Sequence, residues 1–600
     1  MKEFMDKHRD TFLLIPLMIA VAVIPLIVRV AVAKSGMVPF VWFSNEDTEA
    51  DMFVIAKHRA MIVLDVILLL LYIYLILQNK LRASRQFIPL GIYSVLLLIS
   101  SVMSVSKFHT LHGFWGMHES IFVVAGYVLL CYYAFCVIRT QEQIKKMLYA
   151  LLAGSIVLGI IGFFQFLGFD FYMSQVGKKL ITPQSLWTYI ENARLAFEKG
   201  RVYVSLYNPN YVGIYTCMLL PLFTAMALGV EQMKEIRICV VAACLMLVCM
   251  LGCGSKTGVL LLVPSMLLVV IVFVRKRWKR MLVIFGIYAV VFVACNLYQV
   301  YVLKTGSVAE LTGDAASKIA ENEDYKLTDI TLNDEDFVIT YDNKKLYVKY
   351  LHNDDNTYYL DLHDENGENV AYRLNDDNSG YVMDDERFAD IQFVVTTNEA
   401  NEIGFSVKAE NVDLFILYSE TDKTYYYVNR YGAKCKLVAG EKWDCKLFHM
   451  LGGMSGRGYI WSKSLPILKK TIWIGSGPDT FAIMYPQLDY VDQGQNRGNN
   501  EIVTKPHDMY IQMGVQTGVL SLIAFLVFYL IYFVRSIMIY YRQEYDTWAK
   551  RFGVAIFIGT ISFMVAGILH DSTCGVSVVY WTLLGIGSAC NAIVREEEKG

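Results

Sequence analysis

The amino-acid sequence predicts an α-helical polytopic membrane protein of about 12 transmembrane helices, with an extracytoplasmic β-sandwich-like insertion. Of the 600 residues, 55% are apolar and 18% are charged, whereas soluble proteins average about 45–50% and about 25%. The apolar residues form runs of about 20, the length that crosses a hydrocarbon layer about 30 Å thick. Residues 301–450 differ, because they hold 30 acidic and 15 basic residues. This composition excludes a soluble enzyme, a disordered chain and an outer-membrane barrel, whose strands would alternate.

Twelve apolar spans are predicted, and the loops between them differ in charge. The loops on one side, together with both termini, carry 22 Lys and Arg, whereas the short loops on the other side carry 10. The positive-inside rule therefore predicts that both termini are cytoplasmic. The predicted spans are 11–33, 60–78, 87–105, 121–138, 147–167, 209–229, 238–253, 259–274, 281–302, 513–534, 552–570 and 575–594.

The long segment between the ninth and tenth spans is placed outside the cytoplasm by this topology. Its first part, 303–451, is acidic, and in it Tyr, Val, Phe and Ile alternate with polar residues in short runs. This pattern predicts a β-sandwich of about eight to twelve strands. Its second part, 452–512, is a polar loop. The remaining regions are 1–302, with about nine spans, and 513–600, with about three.

The insertion contains Cys435 and Cys445, which flank Ala439-Gly440-Glu441 symmetrically. A hairpin that turns at Gly440 would place the two thiols opposite each other. Outside the cytoplasm a disulfide is chemically allowed. The sequence therefore predicts a disulfide, with two free thiols as the alternative.

Two outer motifs place a cation beside a helix start. Asn208 is a good N-cap for the sixth span, which opens with Asn208-Pro209-Asn210. Arg201 precedes this motif, and a cation next to a helix N-terminus favours an anion such as phosphate, although a capped helix is the simpler interpretation. Lys256 lies in the tight turn between the seventh and eighth spans. A cation there indicates either an anionic ligand or a lipid headgroup.

The loop 452–512 supplies the remaining candidates. Arg457 and Trp461 lead into an amphipathic segment, and His507 lies shortly before the tenth span. A histidine titrates near neutral pH and can remove a proton from a hydroxyl, although a surface histidine is the simpler interpretation. Tyr510 would face the same site if this segment were helical.

A cluster of His109, His112, His118 and Glu119 occupies the loop after the third span. The histidines do not form a tight i, i+4 pair and no cysteine accompanies them. We therefore predict no metal site and interpret them as interfacial histidines.

The order of these motifs resembles that of the O-antigen ligase and O-antigen polymerase family, which are bacterial membrane glycosyltransferases that use polyprenyl-linked sugars. The resemblance covers roughly residues 150–300 and 452–570. Two features depart from the family pattern: the family usually carries Arg where this chain has Lys256, and the acidic insertion is not part of the usual membrane core. The resemblance rests on Arg201 with Asn208-Pro209-Asn210, Ser255-Lys256-Thr257-Gly258, Gly456-Arg457 with Trp461, Gly475 and Gly477 with Phe481, and His507 with Tyr510.

The resemblance implies a transferase for surface polysaccharide that needs no metal, nucleotide or other cofactor. Its donor would be a glycan on undecaprenyl or another polyprenyl diphosphate, and its acceptor a glycan, lipid or wall hydroxyl. Membrane lipids would be partners and nucleic acid would not. It further implies that 452–512 is the catalytic loop, that Arg201, Lys256 and Arg457 bind the departing diphosphate, and that His507 activates the acceptor hydroxyl. The other substrate-binding residues would be Asn208, Asn210, Trp461 and Tyr510.

Two other classes of function stay open at this point. One is a transporter or flippase of lipid-linked glycans, which twelve spans would suit. The other is a sensor or scaffold whose outer sandwich binds glycan. Transporters usually show inverted repeats and broken helices, and the sequence shows no matching halves. Within the transferase hypothesis, the sequence does not distinguish a ligase from a polymerase.

Overall fold

The computed structural model describes residues 11–43, 46–190, 197–304, 325–352, 358–375, 380–443, 445, 456–498, 501–541 and 543–598. Before the insertion the helices are α1 (Thr11–Leu26), α2 (Ile55–Leu77), α3 (Ile88–Val102), α4 (Lys107–His112), α5 (Ile121–Val137), α6 (Gln141–Phe166), α7 (Gln175–Ile181), α8 (Trp187–Ile190), α9 (Pro209–Gly229), α10 (Met233–Cys253) and α11 (Lys256–Tyr298). After it they are α12 (Arg457–Lys470), α13 (Phe481–Met484), α14 (Tyr490–Arg497), α15 (Met509–Gln516), α16 (Val519–Tyr540), α17 (Trp548–Ala566) and α18 (Cys574–Glu597).

The helical membrane body is confirmed. Within the described ranges, nine helices are long and apolar enough to cross a membrane, and α1 and α5 are shorter apolar helices. The longest of the nine runs from Lys256 to Leu303 and has non-helical backbone at Arg277, within the basic loop that was predicted to separate two spans. The first predicted span is shortened, because its helix ends at Leu26. The count of about 12 spans stays a prediction.

The first outer loop forms a small sheet in place of the end of the first predicted span. Strand β1 (Ala31–Lys34) pairs antiparallel with β2 (Thr48–Asp51). Pro25 lies in the last turn of α1, where a 3₁₀ segment ends the helix. Proline removes a backbone donor and so favours a helix end at this position.

Helix α9 is buried along almost its whole length and packs against α10, α11 and α17. Two glycines allow its first turns to approach α11 closely. A Cβ atom on Gly213 would lie 2.9 Å from the Ser255 Oγ, and one on Gly258 would lie 3.1 Å from the Gly213 Cα. Small residues allow membrane helices to pack at short range, and this contact brings the start of α9 against the turn before α11.

The loops that were predicted to be cytoplasmic contact one another at one end of the bundle. Salt bridges and a hydrogen bond connect these loops, although the loops are far apart in the sequence. The shared contacts place these loops on a common face, as the charge pattern requires. The joining pairs are Arg82 with Glu596, Lys145 with Glu235, Lys276 with Glu544, and Gln141 with Glu597.

The predicted β-rich insertion is confirmed and consists of two antiparallel sheets with a shared core. The first sheet contains β3 (Leu327–Leu332), β4 (Phe337–Tyr341), β5 (Lys344–His352) and β6 (Tyr358–Asp364) in that order. The second runs β13-β12-β11-β10-β9-β8-β7. Its strands are β7 (Tyr372–Leu374), β8 (Tyr381–Met383), β9 (Ile391–Thr397), β10 (Ile403–Ala409), β11 (Val412–Ser419), β12 (Thr424–Val428) and β13 (Lys434–Cys435).

The insertion core includes residues from the polar loop that follows it. Tyr490 and Val491 on α14 are buried in the same apolar cluster as the strands. The rings of Tyr427 and Tyr490 are 4.4 Å apart, and the Gln495 Nε2 donates to a Glu410 carboxylate oxygen at 2.7 Å. The predicted boundary at 451/452 lies outside the described residues. The sandwich and α14 therefore form a single packed unit.

The predicted disulfide is not formed. Cys435 and Cys445 are both free thiols, the first buried and the second exposed. Cys435 pairs with Tyr427 in the sheet, so its strand faces β12 and not the segment that contains Cys445. The expected hairpin at Gly440 is replaced by a contact in which the Gly440 N–H donates to Asp489 at 2.8 Å. The sequence symmetry around Gly440 was therefore misleading.

We expect Tyr490→Ala to destabilise the insertion by about 3 kcal/mol, because it removes a buried ring from the core. The measurement is the rate of limited proteolysis within 325–443 in the full-length protein. Tyr359→Ala is the matched control, since Tyr359 is exposed on β6. Equal cleavage rates for the two variants would contradict the shared core.

Candidate functional site

The outer loops are joined by the turn that contains Gly475, Gly477 and Asp479. Asp479 is buried, and its Oδ2 accepts hydrogen bonds from the backbone N–H groups of Phe114 at 2.6 Å and Glu119 at 2.9 Å. Gly475 has no room for a side chain, because a Cβ there would lie 2.2 Å from the Gln516 carbonyl oxygen. Glycine permits such close backbone approach. This turn fixes the second outer loop beside the segment that contains His507.

His507 lies in a turn and not in a helix. Its φ is +54°, in the left-handed region, and the helix begins two residues later at Met509. Trp461 holds this turn, since its indole Nε1 donates to the Pro506 carbonyl oxygen at 2.9 Å. Asp508 caps the helix by accepting from the next backbone N–H groups. Tyr510 therefore does not share a helical face with His507, and its hydroxyl donates to the Met564 carbonyl oxygen.

His507 is paired with a buried carboxylate. The His507 Nδ1 lies 3.0 Å from the Asp571 Oδ2, and the side chains are 27% and 1% exposed. Burial opposes ionisation of Asp571, but His507 and then Lys505 hold the pKa of Asp571 below its ordinary value. An ionised carboxylate only accepts hydrogen bonds, so Nδ1 carries the proton and Nε2 keeps a free lone pair. This is the arrangement of a histidine oriented to accept a proton.

The pKa of His507 is lowered below its ordinary value, chiefly by burial. Asp571 opposes this shift, whereas the cations Lys505 and Arg457 add to it. The ring is therefore neutral around pH 7 and able to act as a base.

Arg457 is the first residue of α12 and is buried, with 8% of its surface exposed. Burial lowers its pKa, and it interacts electrostatically with Asp571 and Arg497. Among the residues that the structure describes, none forms a hydrogen bond with its guanidinium group. A guanidinium has five N–H donors, so Arg457 could donate several hydrogen bonds to the oxygens of an anionic ligand.

Lys505 supplies a second cation, half-buried, beside the same site. Its Nζ lies 4.7 Å from the centre of the Tyr211 ring and also hydrogen-bonds to the Tyr211 hydroxyl. Burial opposes the charge, but contacts with Tyr211 and Asp571 raise the pKa of Lys505 above its ordinary value. Lys505 therefore stays charged next to His507.

A hydrogen-bond network connects the starts of α9 and α11 with His570, the residue that precedes Asp571. Asn208 caps α9 by accepting from the Asn210 N–H at 2.9 Å, and the Asn210 Oδ1 accepts from the Ser255 hydroxyl at 3.1 Å. Ser255 contacts the Thr257 hydroxyl at 3.2 Å, which lies 2.8 Å from the His570 Nε2. The two asparagines are thus connected to His570 through the turn that precedes α11.

Of the predicted cations, Lys256 borders this network and Arg201 lies outside it. Lys256 is exposed and is adjacent to Thr257, so it borders the network without entering it. Arg201 donates from Nη1 to the Cys253 carbonyl oxygen at 3.1 Å. It also lines a separate cavity of about 380 Å³ together with Lys199 and Asp170. No contact between the described atoms joins Arg201 to His507.

The sequence analysis missed His570 and Asp571 and did not include Thr257 or Lys505 among the site residues. Burial lowers the pKa of His570 to about 3, with Arg457 the next contributor. His570-Asp571 lies in the short loop between the last two spans. Polar, ionisable residues in so short an outer loop are the signal that could have identified them.

The histidine cluster of the second outer loop has protein partners. The His118 Nε2 lies 2.8 Å from a Glu49 carboxylate oxygen, and the His109 Nδ1 lies 2.8 Å from the Ser106 hydroxyl. Within the described residues, no group of three or more His, Cys, Asp or Glu side chains is placed to hold a metal ion. These contacts position the loop against its neighbours.

We expect Asp571→Asn to lower the pKa of His507 by about 1–3 pH units, because it removes the negative charge that favours the imidazolium. The measurement is the pH dependence of diethyl pyrocarbonate modification of the peptide that contains His507. Asp361→Asn is the control, since Asp361 pairs with His363 in the insertion. A midpoint that stays constant or rises in Asp571→Asn would show that the carboxylate does not control this ring.

Comparison with protein families supports the resemblance found in the motifs. A family model described as O-antigen ligase matches residues 413–526, a range that contains Arg457 and His507. A search of curated proteins finds no significant match to this chain. Residues 413–526 are therefore similar to the O-antigen ligase family, and the predicted resemblance is confirmed.

Proposed function

We propose that this integral membrane protein transfers or polymerises glycan from a polyprenyl-diphosphate donor onto an acceptor hydroxyl. The observation that carries the proposal is the contact of 3.0 Å between the His507 Nδ1 and the buried Asp571, with the buried Arg457 and the half-buried Lys505 close enough to affect the ring's charge. The family match supports a function in surface polysaccharide assembly. The reaction takes place at the outer face of the bacterial cytoplasmic membrane, with both termini in the cytoplasm, as the charge pattern favours.

His507 acts as the general base in this mechanism. Asp571 holds the Nδ1 proton, so the Nε2 lone pair accepts the proton of the acceptor hydroxyl. The acceptor oxygen forms a bond to the anomeric carbon, and the bond from that carbon to the diphosphate oxygen breaks with its electron pair. The imidazolium that forms is stabilised by the Asp571 carboxylate.

The departing diphosphate gains negative charge that the nearby cations stabilise. Arg457 offers a guanidinium with no hydrogen bond to a described residue, and Lys505 adds a fixed charge. Lys256 and Arg201 bind the more distant phosphate or the lipid end of the donor. Asn208 and Asn210 position Lys256 through the network, whereas Trp461 positions His507. Tyr510 anchors α15 to α17 through its hydrogen bond to the Met564 carbonyl oxygen.

An assay with purified protein and lipid-linked glycan distinguishes this proposal from the other two classes. Growth of a new glycosidic product indicates a transferase. Translocation of the lipid-linked glycan without new bonds indicates a flippase, and binding with neither outcome indicates a sensor or scaffold.

We expect His507→Ala to reduce glycan transfer by about 10²–10⁴-fold, the usual contribution of a positioned acid–base group. His507→Gln should fail similarly, because an amide cannot take the proton. His363→Ala is the matched control, since His363 forms a similar His–Asp contact of 2.7 Å in the insertion. If His507→Gln transferred glycan at the wild-type rate, His507 could not be the general base.

We expect Arg457→Ala to reduce transfer by about 10²–10³-fold, by analogy with the loss of a group that stabilises developing charge. Arg201→Ala should also lose transfer, whereas Lys256→Arg should be tolerated. Arg373→Ala, in an exposed pair of the insertion, is the control for the loss of a guanidinium. The readout is product per unit of protein in the membrane. Full activity of Lys256→Ala would exclude that residue from the diphosphate site.

A further inference from the structure

A cavity of about 430 Å³ lies where the β insertion meets the outer loops of the membrane body. Its volume is within the range of small-molecule binding sites, about 300–1,000 Å³. The cavity is separate from the residues that surround His507 and Arg457. Its lining combines Phe43, Glu49, Trp115, Arg430, Tyr431 and Glu501.

Three aromatic side chains from distant parts of the chain meet in this cavity. The Phe43 ring lies 5.6 Å from Trp115 and 6.2 Å from Tyr431. Trp115 is 41% exposed although it packs on Phe43. Exposed aromatic faces bind the C–H faces of sugar rings and leave the sugar hydroxyls free for polar partners.

Glu49 provides a polar group that is not fully satisfied. Its side chain is 3% exposed, and one carboxylate oxygen lies 2.8 Å from the His118 Nε2. The other oxygen, Oε2, is buried and has no hydrogen-bond partner in the described part of the chain. An unsatisfied buried carboxylate oxygen costs free energy that a hydroxyl donor from a ligand would recover.

The charged residues that line the cavity are Glu46, Glu49, Glu501 and Arg430, so acidic groups outnumber basic ones. Burial opposes protonation of His118, but Glu49 raises its pKa above the ordinary value. Glu501 is paired with Arg497, and Arg430 stacks 4.7 Å from the centre of the Tyr431 ring. The lining therefore lacks the excess of positive charge that a diphosphate requires and suits an uncharged, hydroxyl-rich ligand.

The cavity is close to the proposed base along the chain. Ile502 lines it, and His507 follows five residues later. Five residues span at most about 18 Å when fully extended. An oligosaccharide of a few sugars can therefore occupy the cavity while its terminal hydroxyl reaches His507.

We propose that this cavity binds sugar residues of the acceptor glycan, with the tip of the β insertion forming one wall. The inference rests on the proposed transfer for the identity of the ligand as the acceptor. It gives the insertion a function, since Arg430 and Tyr431 belong to it. Hydroxyl groups of the sugar hydrogen-bond with the carboxylates that line the cavity, Glu49 among them, and the sugar ring stacks on Trp115 and Tyr431.

Binding to the full-length protein in detergent tests the site without requiring transfer. The probe is a set of fluorescently labelled, lipid-free oligosaccharides of one to four repeat units, released by mild acid from the surface polysaccharide of the source cells. Tyr431→Ala, Trp115→Ala and Glu49→Gln should each weaken binding at least about tenfold. Trp473→Ala is the matched control, because Trp473 is 72% exposed and does not line the cavity.

The outcomes separate this inference from the proposed function. His507→Ala should bind the probe as the wild type does, and the three cavity variants should raise the acceptor KM while kcat is retained. Failure of the wild type to bind the probe overturns the inference, as does unchanged binding by all three cavity variants. Glu49→Gln, which keeps the shape of the side chain, guards against a folding defect in the aromatic variants. If the three cavity variants lost transfer but still bound the probe as the wild type does, the cavity would not be the binding site of the acceptor.

Discussion

The arrangement of the candidate site depends on the burial of one carboxylate. Asp571 is 1% exposed, and an ionised carboxylate in such surroundings costs several kcal/mol unless it is paired. His507 supplies the direct contact and Lys505 the nearest full positive charge. The chain must therefore bring the loop before α15 against the loop between α17 and α18. The Met509 N–H donates to the Gly567 carbonyl oxygen at 2.8 Å and fixes this approach.

The same constraint connects the site with the membrane body. His570 contacts Thr257, and Thr257 contacts Ser255, the cap of α11. A change in how α9 packs on α11 would therefore be transmitted to the orientation of Asp571. Because α9 is buried along its length, the site rests on a closely packed part of the bundle.

The β insertion is held to the body by polar contacts as well as by its core. Lys463 is 3% exposed on its side chain and contacts Asp489 and, at 2.7 Å, Asp492. The Asn429 Nδ2 donates to the Val41 carbonyl oxygen at 2.7 Å. These contacts fix the tip of the sandwich over the first outer loop. They explain why the acidic segment forms a wall of a cavity and does not extend freely from the membrane.

The sequence by itself determined the helical membrane class, the acidic β-rich segment and the family resemblance. Apolar runs and charge-biased loops are local properties, so composition along the chain was enough to identify them. It also singled out Arg457 and His507, because each lies in a short motif with distinctive residues. It failed where a prediction depended on the path of the backbone through one turn. The disulfide expected at Cys435 and Cys445 depended on a hairpin, whereas Cys435 pairs with β12.

Only the tertiary structure decided which polar residues share a site. His507 and Asp571 are separated by 64 positions in the chain, and no periodicity connects them. The placement of Arg201 beside Cys253 likewise depends on how the outer segment packs on α10. Burial also determines the charge state of His507 and leaves one carboxylate oxygen of Glu49 without a hydrogen-bond partner in the described part of the chain. Both properties depend on residues that are distant in the sequence.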